Sequence, residues 1–440
     1  MVQMKGKTPD PQDRSLFQPR LSELLNPRHD LYRLAETAKW DFFESEFSQL
    51  YRGTGRPAKP IRLMVGLLML KQLFQVSDEE VCKQWVQNPY WQFFCGETFF
   101  QWKLPCDPTD LVYFRKRIGE AGVEKIFQFS IHLHGKDALE TEVVTDTTVM
   151  EKNISFPTDT KLQMKIIKSC VRIAEKEGVP LRQKYSRVIK RHLLNLRFKN
   201  HPKNKAKASK SQRQIKTIAG RLVRELSRKL KDEKYEKHAE HLERYAKILK
   251  QKKKDKNKIY STHEPEVYCI SKGKEHRPYE FGTKASIVLT KTTGVIVGAM
   301  NAKNRYDGHV LEDAVRQIEK LMGKKPKAII GDRGYRGLKA VLGVSVEIPG
   351  VPKKKDTAYQ KQKKRFQFKR RAAIEPVISH LKFDYGLKRC FLKGSSGDQI
   401  NILMACAAYN IRSFLKKTRT WVKFFLFHLF PPREKCVFQG

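Results

Sequence analysis

The sequence predicts an α/β protein: a mixed sheet flanked by helices, with an all-helical N-terminal domain and a long basic helical insertion. Three observations carry this. Short β-branched runs at 142–149 (EVVTDTTV), 284–290 (KASIVLT), 295–300 (VIVGAM), 328–330 and 344–348 read as strands. From residue 311 onward they alternate with helix-period stretches, an order that suits a sheet covered by helices. Between the first two strands lies a section of different character, rich in Lys and Arg and patterned as helix.

The elements follow in chain order. Residues 1–50, with Pro9, Pro11, Pro19 and Pro27, read as a loosely structured lead-in segment. Residues 51–135 read as a helical N-terminal domain, for which DNA binding is the expectation that the charge and the resemblance below supply. Its first helix is the apolar stretch 61–75, and Ser77-Asp78-Glu79-Glu80 reads as a capping box opening a second. That second helix ends near Asn88-Pro89, because proline disfavours helix in the residue before it. The pair is open to two readings, a helix-turn-helix or an ordinary helical hairpin. A further helix from Thr109 or Asp110 carries Arg115, Lys116 and Arg117, suited either to phosphates or to a solvated face. Residues 136–420 form the sheet-containing domain, with the insertion at 155–262, and 421–440 a C-terminal tail with an aromatic start. Within the insertion Leu222, Leu226 and Leu230 recur every fourth residue, while 201–211 (HPKNKAKASKS) read as a flexible connection. After it, 284–290 and 295–300 flank Lys291-Thr292-Thr293-Gly294 as a hairpin. Leu311, Ala314, Val315, Ile318, Leu321 and Met322 then form one apolar helical stripe.

Charge narrows the function. The 440 residues hold 89 Lys and Arg against 46 Asp and Glu, a net +43. Residues 161–260 alone carry 33 against 9, more than half of the excess in under a quarter of the chain. Like charges at that density destabilise a helix unless something anionic screens them, so a polyanionic partner is expected, nucleic acid before a membrane surface. A hydrophobic content of 40% rules out a wholly disordered chain. Residues 1–20 have no apolar core of the secretory type, and the longest apolar stretches, 61–74 and 421–430, are too short and too charged to span a bilayer. No C-x-x-C pair occurs among the eight cysteines, which read as reduced thiols of a cytosolic protein.

Three carboxylates stand out. Asp146 lies inside a strand, Asp332 ends another before Gly331-flanked turn residues Arg333-Gly334-Tyr335, and Glu375 lies on a helix after a basic run at 352–371. A carboxylate in a strand core is costly unless paired or metal-bound. Two strands and a helix can bring three together, a hard oxygen set suited to Mg2+ and to phosphoryl transfer. Phe368, Arg371, Glu375 and Lys382 fall near one helical face at ~100° per residue. Pro376 removes a helical hydrogen bond there and is expected to kink the helix. Read alone, Arg371 and Glu375 also make an ordinary i,i+4 surface pair.

Asp146 in VVTDTTV, Asp332 in AIIGDRGYRG and Glu375 in RRAAIEPVISHLK together resemble bacterial insertion-sequence transposases of the DDE class. The C-terminal signature of that class is Tyr-x2-Arg-x3-Glu-x6-Lys; this chain matches at Arg371, Glu375 and Lys382 and departs at Phe368, which lacks the hydroxyl. The helices around 55–120 resemble the N-terminal domain of the same transposases, and FLKGSSGDQINILMACAAYNIRSFL their closing helix. The resemblance implies an RNase H-like catalytic fold with Mg2+, or Mn2+ in its place, held by Asp146, Asp332 and Glu375. It implies DNA cleavage and strand transfer at terminal inverted repeats, with transposon ends and target DNA as partners and a homodimer on paired ends. Localisation is then cytoplasmic, at the nucleoid, without a membrane. Arg371 and Lys382 would hold phosphates, Phe368 would stack or pack beside them, Arg333 and Tyr335 would contact the same strand, and His309 in NRYDGHVLEDA has a DNA contact or helix-start packing as its two readings. The alternatives are an RNase H-like nuclease without joining activity and a non-catalytic DNA-binding protein derived from a transposase.

Overall fold

The computed structural model describes residues 3–10, 17–52, 54–252, 254–271, 275, 278–350 and 352–429. The chain forms two units, residues 1–150 with 284–440, and residues 151–283.

Strand β1 (Gln3–Met4) opens the first unit and pairs in parallel with β2 (Arg56–Pro57). Between them lie α1 (Leu21–Leu24), α2 (Asp30–Thr37) and α3 (Trp40–Ser48). The lead-in expectation for residues 1–50 therefore misses ordered structure. Phe43 and Phe47 are fully buried, and Phe43 meets Phe129 edge-on with ring centroids 5.1 Å apart. The four prolines mask three short helices, of which α2 and α3 are held by aromatic packing more than by propensity. Helix α4 (Ile61–Leu73) is buried nearly all round, as a helix without a polar face must be. It leads into α5 (Asp78–Gln87), where the Ser77 hydroxyl accepts the Glu80 N–H at 3.1 Å. Asn88 ends α5 and caps α6 (Pro89–Phe94). Helix α7 (Pro108–His132) bends at Gly119, whose φ of +59° lies in the left-handed region.

The cations of α7 are not a phosphate-facing row. Arg115 is buried and donates two hydrogen bonds to Asp78, at 2.8 and 2.5 Å, while Lys71 reaches the same carboxylate at 2.7 Å. Arg117 stacks over Tyr51, 4.5 Å from the ring centre. With α4 enclosed and Asp78 engaged from two helices, the α4–α5 pair is built as a helical hairpin of the core.

Strand β3 (Glu142–Lys152) runs out of the first unit into the second. The second unit is a helical bundle of α8 (Asp159–Glu177), α9 (Ser186–Asn195), α10 (Pro202–Lys229) and α11 (Asp232–Lys250). Its own core includes Ile166, Cys170, Ile215, Leu222, Leu226 and Leu242. Residues 201–211, expected as a flexible connection, are instead the first turns of α10. Pro202 occupies the first helical position, and Ala208 and Ser211 are buried. Strand β4 (Tyr268–Ser271) closes this unit by pairing antiparallel with the first residues of β5 (Tyr279–Thr290).

Back in the first unit, β5 and β6 (Ile296–Lys303) form the expected hairpin, antiparallel from Lys284 onward. Helix α12 (Asp307–Met322) packs its apolar stripe on β6. Strand β7 (Ala328–Ile330) follows, then β8 (Ala340–Val341) and β9 (Val344–Glu347). The sheet runs β5-β3-β7-β9-β8, with β6 on the outer side of β5. Strand β7 is parallel to both β3 and β9. Helices α13 (Ala358–Ala372) and α14 (Ile374–Asp384), the short β10 (Arg389–Cys390) and α15 (Gly394–Leu429) complete the chain. Asn410 of α15 ties layers together: its amide bonds both N–H and C=O of Ile296, and its own carbonyl bonds the buried His134 at 2.9 Å. One continuous core joins α2–α7, the sheet, α12, α14 and α15, so the N-terminal helices and the sheet share their interior. Residues 430–440, half of the expected tail, lie outside the described residues. No helix among the described residues is long and apolar enough to cross a membrane.

Candidate active site

Register places the first two carboxylates. In the parallel pair β3–β7, Val144 stands opposite Ile330. Two residues further on, Asp146 and Asp332 occupy equivalent positions just past the C-terminal end of β7. Neighbouring strands lie about 4.8 Å apart, so two acids at matching register become near neighbours. In open α/β sheets ligands bind outside the carboxyl ends of such parallel strands.

Glycines make room for this arrangement. A Cβ on Gly331 would come within 2.7 Å of the Tyr335 ring, and one on Gly334 within 2.9 Å of Asp332 Oδ1 and 3.3 Å of Asp307 Oδ2. The Gly334 N–H donates to Asp332 Oδ1 at 2.8 Å, fixing that carboxylate in the turn. Asp307, the first residue of α12, is a fourth acid at this point. It accepts from the Thr147 hydroxyl and from Lys284 Nζ, both at 3.2 Å. It lies in the same NRYDGHVLEDA segment as His309, and the sequence reading passes over it because an acid at a helix start has a ready explanation in the helix dipole.

Asp146 accepts the Thr147 N–H at 2.7 Å. Burial pushes its carboxyl up to about 6; the Asp332 and Asp307 carboxylates add to this, while the Thr147 N–H and Arg371 oppose it. Arg371 stands between acids, 3.8 Å from Asp146 Oδ2 and 3.8 Å from Glu375 Oε1. The helix carrying it is broken, as Pro376 leads one to expect: α13 stops at Ala372 and α14 restarts at Ile374, with Pro376 in the first turn. Ile374, Val377 and Leu381 bury one side of α14, and Glu375, on its first turn, is 64% exposed.

The remaining candidates separate. Lys382 is half-buried on α14, and Phe368 is half exposed on α13. His309 is exposed and packs edge-on against Tyr306, 5.7 Å between ring centres. Tyr335 corrects the expectation of a strand contact. It is 1% exposed and belongs to the core beneath Gly331, where burial pushes its phenol up. A turn of glycines lets the ring fold inward, and an aromatic with room to bury does so. The backbone of Arg333 lies in the 3-10 turn after Asp332; its side chain is outside the described residues.

Among the described residues, no three acid, histidine or cysteine side chains converge closely enough to form a finished metal cage. The donor chemistry nonetheless fits a hard divalent cation. It consists of carboxylate oxygens, and Asp146 is disfavoured as an anion by burial and then by its acidic neighbours, a cost that a cation would relieve.

Comparison with known proteins agrees with this architecture. Residues 19–117 match the family described as Transposase domain (DUF772), and residues 246–411 match the Transposase DDE domain. An uncharacterised protein of Rhizobium meliloti, ORF8 in the nfe locus, is 42% identical over 207 residues, covering 45% of this chain and 98% of that protein. No solved structure matches. The chain belongs to the DDE transposases of bacterial insertion sequences, and its fold is RNase H-like. Transposases of this class act on DNA and generally use divalent metals.

Proposed function

We propose that this transposase binds the terminal inverted repeats of its element and catalyses Mg2+-dependent cleavage and strand transfer, with Asp146, Asp332 and Glu375 as its catalytic acids. The observation that carries the reading is that Asp146 on β3 and Asp332, two residues beyond the end of its parallel neighbour β7, are neighbours, with Arg371 3.8 Å from both Asp146 and Glu375. These three acids would hold Mg2+, or Mn2+ in its place, and Asp307 borders the same site. Bound there, the ion would favour ionisation of the attacking hydroxyl and offset charge on the leaving oxygen.

In the first step water attacks the phosphorus at the transposon end. The P–O3′ bond breaks, leaving a 3′-hydroxyl and a 5′-phosphate. In the second step that hydroxyl attacks a target phosphodiester and displaces a target 3′-oxygen. The chain's own part is to position and to neutralise. Arg371 and Lys382 supply fixed positive charge for the phosphate oxygens, where charge-assisted contacts are the strong ones. Phe368 offers an exposed ring on the same helical segment. The helices of 51–135 are assigned to DNA, the active assembly to a homodimer on paired ends, and the location to the cytoplasm at the nucleoid.

The test is an assay of purified protein with Mg2+ and duplexes carrying the element's ends. Joined products support the proposal, whereas nicking without joining identifies a nuclease and refutes the strand-transfer part. Asp332→Ala is expected to abolish cleavage while keeping or tightening DNA binding, because it removes a negative charge from a phosphate-facing site. A variant that loses binding and cleavage in proportion would contradict the metal-holding role.

A further inference from the structure

The helical unit carries a charge pattern that catalysis does not use. Helix α10 is 28 residues long and has one face in the bundle core, through Ile215, Ile218, Leu222 and Leu226. Its opposite face presents two groups of exposed cations: Lys203, Lys207, Lys210 and Arg213 toward the N-terminus, and Arg221, Arg224 and Arg228 toward the C-terminus. At ~100° per residue all seven fall within an arc of roughly 120°. From Lys203 to Arg228 they extend about 37 Å at ~1.5 Å per residue, close to the ~34–36 Å of one duplex turn. None of the seven makes an ion pair within the described residues. The one acid of α10, Glu225, lies at the rim and is held by Lys229 at 2.8 Å.

We propose that this face of α10 is a duplex-DNA backbone surface, a second DNA-binding element that contacts phosphates along about one helical turn. The inference rests on the transposase reading for the identity of the polyanion and goes beyond it by assigning the inserted unit a role. Seven aligned, unpaired cations on a rigid rod repel one another and are relieved by a regularly spaced polyanion. An anionic lipid surface suits them less well. Interfacial helices bury an apolar face in the bilayer, and the apolar face of α10 is already covered by its own bundle. Apart from Glu225 at its rim, the charged groups on this arc are cations, which suits contacts to phosphates.

The experiment uses the full chain and a 30-bp duplex of arbitrary sequence, with affinity measured from ~50 to 200 mM salt. Three fourfold variants are compared with the wild type. K207Q/K210Q/R221Q/R224Q removes four of the seven cations, K207R/K210R/R221K/R224K preserves their charge, and K161Q/K168Q/R172Q/K176Q removes equal charge from α8. The slope of log affinity against log salt is expected to fall by roughly 3 to 4 for the first variant, at about 0.9 per phosphate lost. It should stay near wild type for the second and change by less than about 1 for the third. An unchanged slope in the first variant overturns the proposal. So does an equal fall in the first and third, which marks diffuse attraction and not a surface on α10. A fall shared by the charge-preserving variant assigns the effect to folding and also overturns it. Wild-type protein that binds no duplex at all overturns this proposal and counts against the proposed DNA-binding function as well, whereas an unchanged slope with binding retained fails the α10 surface alone.

Discussion

Asp146 shows how much chemistry one strand position can acquire from its surroundings. Its carboxyl is buried, sits beside Asp332 and Asp307, and has the 3.8 Å contact with Arg371 as its cationic relief. The native state therefore keeps the Asp146 proton up to about pH 6, whereas the unfolded chain releases it in the usual carboxylate range. Between those values the folded protein binds more protons, so this group lowers stability as pH rises through the window. In buffer with a chelator of divalent ions, Asp146→Asn is expected to be more stable than wild type above pH 6, by on the order of 1–3 kcal/mol. The difference should vanish near pH 4. Urea unfolding at both pH values checks this, and equal stability at pH 7.5 would show that the acids do not burden the fold. Tyr335 gives the contrary lesson. Its place beside Asp332 in sequence suggests the reacting strand, but the glycines on either side fold its ring into the core.

Helix α7 owes its packing to an ion pair as well as to apolar burial. Arg115 is buried, and Asp78 binds it through both oxygens. Burial alone would raise the Asp78 carboxyl, but the Arg115 hydrogen bonds and the Lys71 charge outweigh it and hold it below the usual range. This contribution is present at neutral pH and lost as pH falls through the lowered value. Asp78→Ala leaves a buried guanidinium unpaired and is expected to cost ~3–5 kcal/mol. Replacing both partners, as in Asp78→Leu with Arg115→Met, should recover most of the loss. If Asp78→Ala unfolds in urea at the wild-type midpoint, the pair is a surface contact without structural weight. Sequence patterning located α5 through its capping box and the start of α7 to within two residues, yet the partner of Arg115 lies 37 residues away. Pairing at that separation has no local signature, so by sequence the basic cluster is open to phosphates or to a solvated face, and a buried ion pair is neither.

The two units have separate hydrophobic cores. Leu222 is fully buried among the bundle helices of the second. Leu222→Ala should lower the stability of that unit by ~2–5 kcal/mol while leaving the first unchanged. Thermal unfolding followed by hydrogen exchange of each unit checks this: amides of α8 and α10 should lose protection while those of α4 and α15 keep theirs. A uniform loss across the chain would mean that the two cores unfold as one.

Much of this molecule was legible before any coordinate. β-branched runs marked the strands around Asp146 and Asp332, the 311–322 stripe marked α12, and Pro376 marked the break before α14, because each is set by neighbours a few residues apart. The net positive charge and its concentration in one section needed only counting. Tertiary structure alone decided which charges face one another. It brought Asp307 to the two strand acids, put Arg371 between Asp146 and Glu375, buried Tyr335 and Arg115, and aligned the cations of α10 outside a closed bundle. Contacts of that kind depend on strand register and helix packing across tens to hundreds of residues, and no local pattern in a chain encodes the distance between groups so far apart.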